Sequence, residues 1–253
     1  MEIGAEKINP YKGDSRHKGE QVREMFDNIA PAYDFMNRAM TLGIDKRWRA
    51  LAVKMIASHF DSRGISCPRL LDVATGTGDL AIKLARTFPK GQVTGIDLSE
   101  GMVDIGRRKV ADAGLSDRVT LDIGDCLSLP YADDEFDCVT VAYGVRNFER
   151  LLDGYSQMLR VLRPGGLLCV IELSTPVNPI VKPLYNLYTR HAIPLAGRLV
   201  SKDVRAYAYL PESIAAVPQR GSMAAIIEQA GFTSTGFRPL TFGVCTIYTG
   251  IKP

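Results

Sequence analysis

Residues 69–79 read Arg69-Leu70-Leu71-Asp72-Val73-Ala74-Thr75-Gly76-Thr77-Gly78-Asp79. Leu70, Leu71, Val73 and Ala74 form the apolar run of a parallel strand covered on both faces. Gly76 and Gly78 follow where such a strand must turn sharply, because glycine tolerates positive φ and lets a ligand approach the backbone. Asp79 is placed to cap a helix whose apolar face is Leu80, Ala81, Leu84, Ala85 and Phe88. Strand, glycine turn and helix in this order form a nucleotide-site geometry. The alternative is a plain strand-to-helix packing turn.

The kind of nucleotide depends on the residues beside the glycines. The third position after Gly78 is Ala81, which dinucleotide sites tolerate, so the glycines alone do not decide. Asp72 does bear on the choice. A carboxylate there would repel a pyrophosphate but stabilise a cation. S-adenosylmethionine (SAM) carries a sulfonium, an ammonium and no phosphate, so Asp72, Gly76 and Gly78 suit SAM better than NAD. The next strand, Val93 to Asp97, ends in a carboxylate roughly 20 positions beyond the glycines, where it reaches two ribose hydroxyls. A third strand, Val119 to Ile123, is followed by Gly124-Asp125-Cys126. Asp125 is placed to accept from an adenine amino group or to shape the turn, with Cys126 beside the ring.

With 253 residues, 46% hydrophobic and 23% charged, the chain has the make-up of one large globular enzyme domain. A net charge of +3 is too weak to imply nucleic acid. The basic clusters Lys46-Arg47-Trp48-Arg49 and Arg107-Arg108-Lys109 read as solvated helix faces. The five cysteines contain no C-x-x-C pair and read as reduced, buried thiols. His17, His59 and His191 are too dispersed for a zinc site, so no metal is expected. No signal-like apolar segment and no run of membrane-spanning length is present, which predicts a cytoplasmic protein.

In chain order, residues 1–20 read as a loose polar tail, with Ile8, Pro10 and Tyr11 placed to pin part of it. Residues 21–253 form a single domain. Within it, 21–66 read as a helical cap, with Pro31 opening a second helix and a third running from Lys46 to Phe60. From 67 to 175 strands and helices alternate as in a doubly wound parallel sheet. Strand four is Phe136 to Ala142. A helix from Leu151 is stopped by Arg163-Pro164-Gly165-Gly166, and strand five is Leu167 to Leu173. Residues 176–216 are an aromatic, proline-punctuated insertion placed to wall a substrate pocket. Residues 217–253 supply a helix and two strands whose short joint at 239–242 forces them antiparallel. The fold expected is α/β: a mostly parallel, seven-stranded Rossmann-like sheet with an antiparallel last strand, as in class I SAM-dependent methyltransferases, with an N-terminal helical cap.

Three further motifs carry a resemblance. Tyr33-Asp34-Phe35-Met36-Asn37 followed by Trp48, Tyr143-Gly144-Val145-Arg146-Asn147, and Arg160 to Gly166 running on through Glu172-Leu173-Ser174 resemble the signatures of the ubiquinone/menaquinone biosynthesis C-methyltransferase family. The chain departs from the family at Thr41, Asp45, Thr75, Ala142 and Arg163. The resemblance implies SAM contacts at Thr77, Asp97, Asp125 and Cys126. It implies methyl transfer to a ring carbon of demethylmenaquinol, giving menaquinol, with the benzoquinol intermediate of ubiquinone biosynthesis as the alternative. A non-catalytic SAM-binding module is the reading from another class. Asp72 and the terminal hairpin argue against a nicotinamide reductase.

That chemistry needs a nucleophilic ring carbon, which a phenolate supplies by delocalisation. A phenol ionises at about 10, and a cation within hydrogen-bond reach lowers that by roughly 1–3 units. Arg146 is the candidate cation and Asn147 the candidate for orienting the quinol oxygen or a water. The alternative is that both form a structural clamp with an acidic residue. Tyr33 is placed to close over SAM from the cap, or to pack there. Tyr185, Tyr188 and His191 share a helical spacing and line the quinol pocket or form a plain helix face. Glu172 reads as structural. The isoprenoid tail of the substrate and the apolar stretch 183–199 suggest a peripheral contact at the inner face of the membrane. The oligomeric state is open, a homodimer included.

Overall fold

The computed structural model describes residues 4–189 and 204–253. Five strands run parallel: β1 (Arg69–Val73), β2 (Gln92–Asp97), β3 (Val119–Ile123), β4 (Phe136–Ala142) and β5 (Leu162–Leu173). The last two, β6 (Thr233–Leu240) and β7 (Cys245–Ile251), form a hairpin, and β7 lies antiparallel against β5. The sheet order is β3-β2-β1-β4-β5-β7-β6, the expected seven-stranded architecture. Chain order reverses beside β1, between β1 and β4, which is where open sheets of this kind bind ligands.

The helices are α1 (Lys18–Thr41), α2 (Asp45–Arg63), α3 (Asp79–Thr87), α4 (Glu100–Asp112), α5 (Leu151–Val161), α6 (Val181–Leu187), α7 (Val204–Ala216) and α8 (Gly221–Gln229). Strand side chains alternate between two cores, as the pleat requires. Leu70 packs with Ile56, Phe60 and Leu84 beneath α2 and α3. Leu71 and Val73 face the opposite way, toward Tyr155, Met158 and Met223 of α5 and α8. A third core joins α1 to α4 through Met25, Ile29, Met36 and Met102.

Four local expectations change. Pro31 does not open a new helix; it lies inside a single 24-residue α1. A proline there forfeits the bond to the Asp27 carbonyl and tends to kink a helix. Here the flanking turns are held from outside. The Asp27 carboxylate accepts from Ser99 Oγ (2.6 Å) and the Gly101 amide (3.0 Å), and Asp34 accepts from Thr77 Oγ1 (2.6 Å). Residues 4–17 are not loose either. The Tyr11 amide donates to Gln21 Oε1, Glu6 accepts from the Leu151 amide, and Tyr11 is buried. β5 begins at Leu162 rather than Leu167, pairing with Phe136 before a bulge around Pro164 and Gly165 that restores register at Cys138–Leu167. Ala74 belongs to the turn and not to the strand, with φ 52°.

Among the described residues no helix is long and apolar enough to cross a membrane. The turn after β1 rests directly on β2. A methyl group at Gly95 would lie 2.5 Å from Leu121 Cδ2 and 2.8 Å from Thr75 Oγ1. Gly95→Ala is therefore expected to destabilise the fold by about 1–3 kcal/mol through overpacking. Equilibrium urea unfolding checks this; an unchanged midpoint would refute so close an approach.

Candidate active site

The turn after β1 is built from left-handed backbone at Ala74 (φ 52°), Gly76 (φ 55°) and Gly78 (φ 76°). Gly78, not Asp79, is the N-cap of α3. Asp79 instead forms a close ion pair with Lys109. The Gly76 amide donates to Asp97 Oδ2 (2.8 Å), and the Ser99 amide to Asp97 Oδ1 (2.9 Å). Asp97 thus ties the first turn to the start of α4, where Ser99 caps the helix by accepting from the Met102 amide. Burial raises the Asp97 pKa above the ordinary carboxylate value, and these two amides oppose that shift.

A first cavity opens over these strand ends. Its floor comes from Ala74 and Gly76 after β1, Asp97 after β2, Gly124 and Cys126 after β3, and Gly144 after β4. Its roof is α1, through Val22, Phe26 and Tyr33. Asn147 also borders it. The Cys126 thiol is pushed well up by burial and by the neighbouring Asp125, which keeps it neutral. The lining suits SAM: a strand-end carboxylate for the ribose, an apolar slot at Ile96, Met102 and Cys126, and a turn that a side chain at Gly144 would force away from Ala74, 2.6 Å from such a Cβ.

The other sequence-predicted cofactor residues lie behind this wall. The Asp72 carboxylate accepts from Thr75 Oγ1 (2.7 Å) and Thr140 Oγ1 (2.6 Å) beneath the turn. Gly78 faces Leu121. Thr77 bonds to Asp34 and accepts from Lys109 Nζ (3.1 Å), which also pairs with Asp34 at 2.7 Å. Asp125 accepts from the Leu127 amide (2.8 Å) and shapes the turn.

A second cavity of about 240 Å³ adjoins the first, sharing Tyr33 and Tyr143 with it. It is walled mainly by apolar and aromatic side chains, including Met40, Trp48, Tyr185, Tyr188 and Val244, with Arg146 among them. Burial raises the Tyr185 pKa to about 12. The Tyr188 hydroxyl donates to the Met40 carbonyl (2.7 Å), joining the end of the insertion helix to α1. His191 lies outside the described residues.

Arg146 is buried and paired with Glu172 at 2.9 Å, and its Nη1 also donates to the Tyr143 carbonyl in close contact. Burial is the largest single influence and works against its charge, but Glu172 together with Tyr33 and Tyr209 outweighs it, so the guanidinium stays protonated. Glu172 also accepts from the Arg146 amide (3.2 Å). The clamp with an acidic residue and the position on a cavity wall therefore coexist. Asn147 Oδ1 accepts from the Tyr209 hydroxyl (3.1 Å), and Lys18 Nζ donates to the carbonyls of Arg146 and Phe148.

Two basic clusters read as solvated faces are only partly so. Lys46, Arg47, Arg107 and Arg108 are exposed, but Trp48 and Arg49 are buried and Lys109 is engaged by Asp34 and Asp79. Arg49 forms a close buried pair with Asp45, and both border the second cavity. The i, i+4 spacing of Asp45 and Arg49 was the available signal, and it lay hidden in a basic run.

A model of the ubiE/COQ5 methyltransferase family matches residues 14–252. The chain belongs to the ubiE/COQ5 methyltransferase family. It is 46% identical over 252 residues to a Bacteroides fragilis protein named demethylmenaquinone methyltransferase, covering 100% of both chains. It is also 46% identical to a Geobacter sulfurreducens protein named ubiquinone/menaquinone biosynthesis C-methyltransferase UbiE, covering 97% of this chain and 93% of the relative. Among solved structures it resembles a SAM-dependent methyltransferase from Aquifex aeolicus, with a TM-score of 0.54, 20% identity, and coverage of 74% of this chain and 82% of that one; this likeness concerns the fold. This ubiE/COQ5 family member is a SAM-dependent methyltransferase.

Asp72 gives the site a measurable pH signature. Burial lifts its pKa from 3.8 to about 6, against the hydroxyls of Thr140 and Thr75, which favour the carboxylate. The folded protein therefore holds a proton that the unfolded chain releases near 4. Ionising it removes stability as pH rises from about 4 to 6, by about 3 kcal/mol in all. The stability of the wild type relative to Asp72→Asn is expected to fall across that window and then level off. Urea midpoints of both proteins between pH 4 and 8 check it.

Proposed function

We infer that this protein methylates a ring carbon of demethylmenaquinol, with SAM as donor, to give menaquinol. The observation that carries the reading is the pair of adjoining cavities. One lies at the strand ends with an acidic residue for a ribose, the other is apolar with a buried guanidinium, and Tyr33 and Tyr143 border both. The name of the Bacteroides relative agrees with it. The name of the Geobacter relative covers both quinone pathways and keeps methylation of the ubiquinone benzoquinol as the second reading.

When bound, SAM supplies a methyl group on a sulfonium, a good leaving group. In this reading Asp97 accepts from the ribose hydroxyls, Cys126 lies beside the adenine on a turn that Asp125 shapes from behind, and Gly76 and Gly78 keep the turn close to the ligand. Thr77 acts through Asp34, holding α1 down. Asp72 acts from beneath the turn as the carboxylate facing a cationic ligand. Tyr33 closes the boundary between the cavities.

Arg146 binds one quinol oxygen and favours the phenolate; a shift of roughly 1–3 units from about 10 raises the ionised fraction at pH 7 by about 10–1000-fold. Asn147 orients that oxygen or a water. Holding the two reactants in line contributes several kcal/mol more. The isoprenoid tail leaves along the apolar wall. Leu42 borders the second cavity and is 83% exposed, and Leu184 and Leu187 on α6 are 65% and 61% exposed. These side chains make a surface suited to the edge of a bilayer.

Methyl-labelled SAM should pass label to short-tail demethylmenaquinol and not to the oxidised quinone, with Arg146→Ala lowering kcat by about 100-fold or more. Label in a demethylated ubiquinol precursor alone would instead favour the second reading, and no label despite SAM binding would sink both. Anionic lipid vesicles carrying the quinol should co-sediment with the wild type and less with a Leu42→Asp, Leu184→Asp variant. Equal sedimentation of the two proteins would remove the proposed membrane surface.

A further inference from the structure

Buried polar atoms without partners are uncommon in folded proteins, and each costs about 1–3 kcal/mol unless a ligand or water completes it. Among the described residues four such side-chain atoms occur, and three belong to residues bordering the second cavity: Arg49 Nε, Tyr143 Oη and Arg146 Nε. Their concentration at this wall marks donors that packing leaves without a protein partner and that an oxygen-bearing ligand seated against the wall could complete.

Arg49 is built for such a role. It comes from α2, whereas Arg146 follows β4, so the two guanidinia reach the cavity from different elements. Asp45, one turn earlier on α2, holds Arg49 through a close buried ion pair. Asp45 is itself fixed by Thr41 Oγ1, which donates to it at 2.9 Å. The Arg49 guanidinium lies over the Tyr143 ring, 5.2 Å from its centroid, an arrangement that orients a planar cation. Burial disfavours its charge, but Tyr143, Asp79 and Asp45 outweigh burial, so Arg49 remains a cation. Tyr143 has left-handed backbone (φ 62°), fixed by its amide donating to the Ile171 carbonyl at 2.7 Å. Neither side chain is free to drift out of the cavity wall.

We propose that Arg49 is a second cationic contact for the methyl acceptor, receiving the ring oxygen opposite the one held at Arg146, so that an aromatic 1,4-diol spans the two arginines. This rests on the quinol reading given above. The two contacts set the plane and register of the ring, and so decide which ring carbon faces the first cavity. An aromatic ring with one hydroxyl satisfies only one of the two sites.

The test compares two competitive inhibitors of methyl transfer to short-tail demethylmenaquinol under reducing conditions: 2-methyl-1,4-naphthalenediol and 2-methyl-1-naphthol. In the wild type the diol is expected to bind about tenfold to a hundredfold more tightly than the mono-ol, the range of one hydrogen bond to a charged group. In Arg49→Gln that ratio falls to near one, with the mono-ol and SAM binding as in the wild type, and Arg49→Lys recovers part of it. Removing one member of a buried pair can prevent folding. The double variant Asp45→Asn, Arg49→Gln keeps a neutral pair of similar shape and should show the same loss of ratio. A ratio as high in the folded double variant as in the wild type would overturn the role of Arg49. If neither compound inhibits the wild type while SAM still binds, the quinol reading itself fails.

Discussion

The ion pair between Arg146 and Glu172 is the constraint on which the site depends. At 2.9 Å and an effective dielectric near 20 its attraction is about 6 kcal/mol. Removing the two charges from water costs several kcal/mol each, so the pair does little for net stability. Its effect is positional. Glu172 sits at the end of β5 and takes both the guanidinium and the backbone amide of Arg146. That fixes the segment after β4, and with it the wall between the two cavities. Tyr143 and Asn147, on either side of Arg146, border the first cavity, and Arg146 itself borders the second.

α1 is the complementary part. It covers the strand ends, and two of its carboxylates are fastened to different elements: Asp27 to the start of α4, Asp34 to Thr77 in the turn and to Lys109. Its first residue, Lys18, is buried against the carbonyls of Arg146 and Phe148. Burial lowers the Lys18 pKa to about 8, against the pull of Glu6 and Glu149. The helix therefore spans both cavities, bordering the first through Val22 and Phe26 and the second through Asn37 and Met40. Tyr33, midway along it, meets both cavities because the helix is continuous through Pro31. Two shorter helices, as the proline suggests from sequence, would have left that span without a rigid member.

The sheet was legible because parallel strands covered on both faces leave continuous apolar runs, and because each strand end carries a glycine or carboxylate at a fixed place in the turn. For that reason the sequence singles out Asp97, Gly76 and Cys126, which border the first cavity. What was hidden depends on contacts far apart in sequence. Nothing near Lys109 in the chain indicates that it meets Asp34 and Asp79, and the N-terminal residues look loose because their partners, Gln21 and Leu151, lie outside the segment. Thr77 and Asp125 illustrate a different limit. The turn places them, but only the packed structure separates the residues on the cavity wall from those that hold the wall in place.

If the acceptor is the quinol proposed above, charge balance explains how such a site can serve a neutral, apolar molecule. Each buried arginine at the second cavity has its own carboxylate, Glu172 for Arg146 and Asp45 for Arg49. The cavity therefore carries little net charge, and an uncharged quinol enters without a large Coulombic cost. Yet the guanidinia remain oriented donors held in a medium that screens weakly, so negative charge that develops on a ring oxygen meets dipoles and cations already in place. Unpaired arginines would bind anions indiscriminately and would be costly to bury. Arginines paired with carboxylates keep their directional donors while losing most of their long-range field. That combination suits the proposed reaction, in which the acceptor becomes anionic only at the moment of methyl transfer.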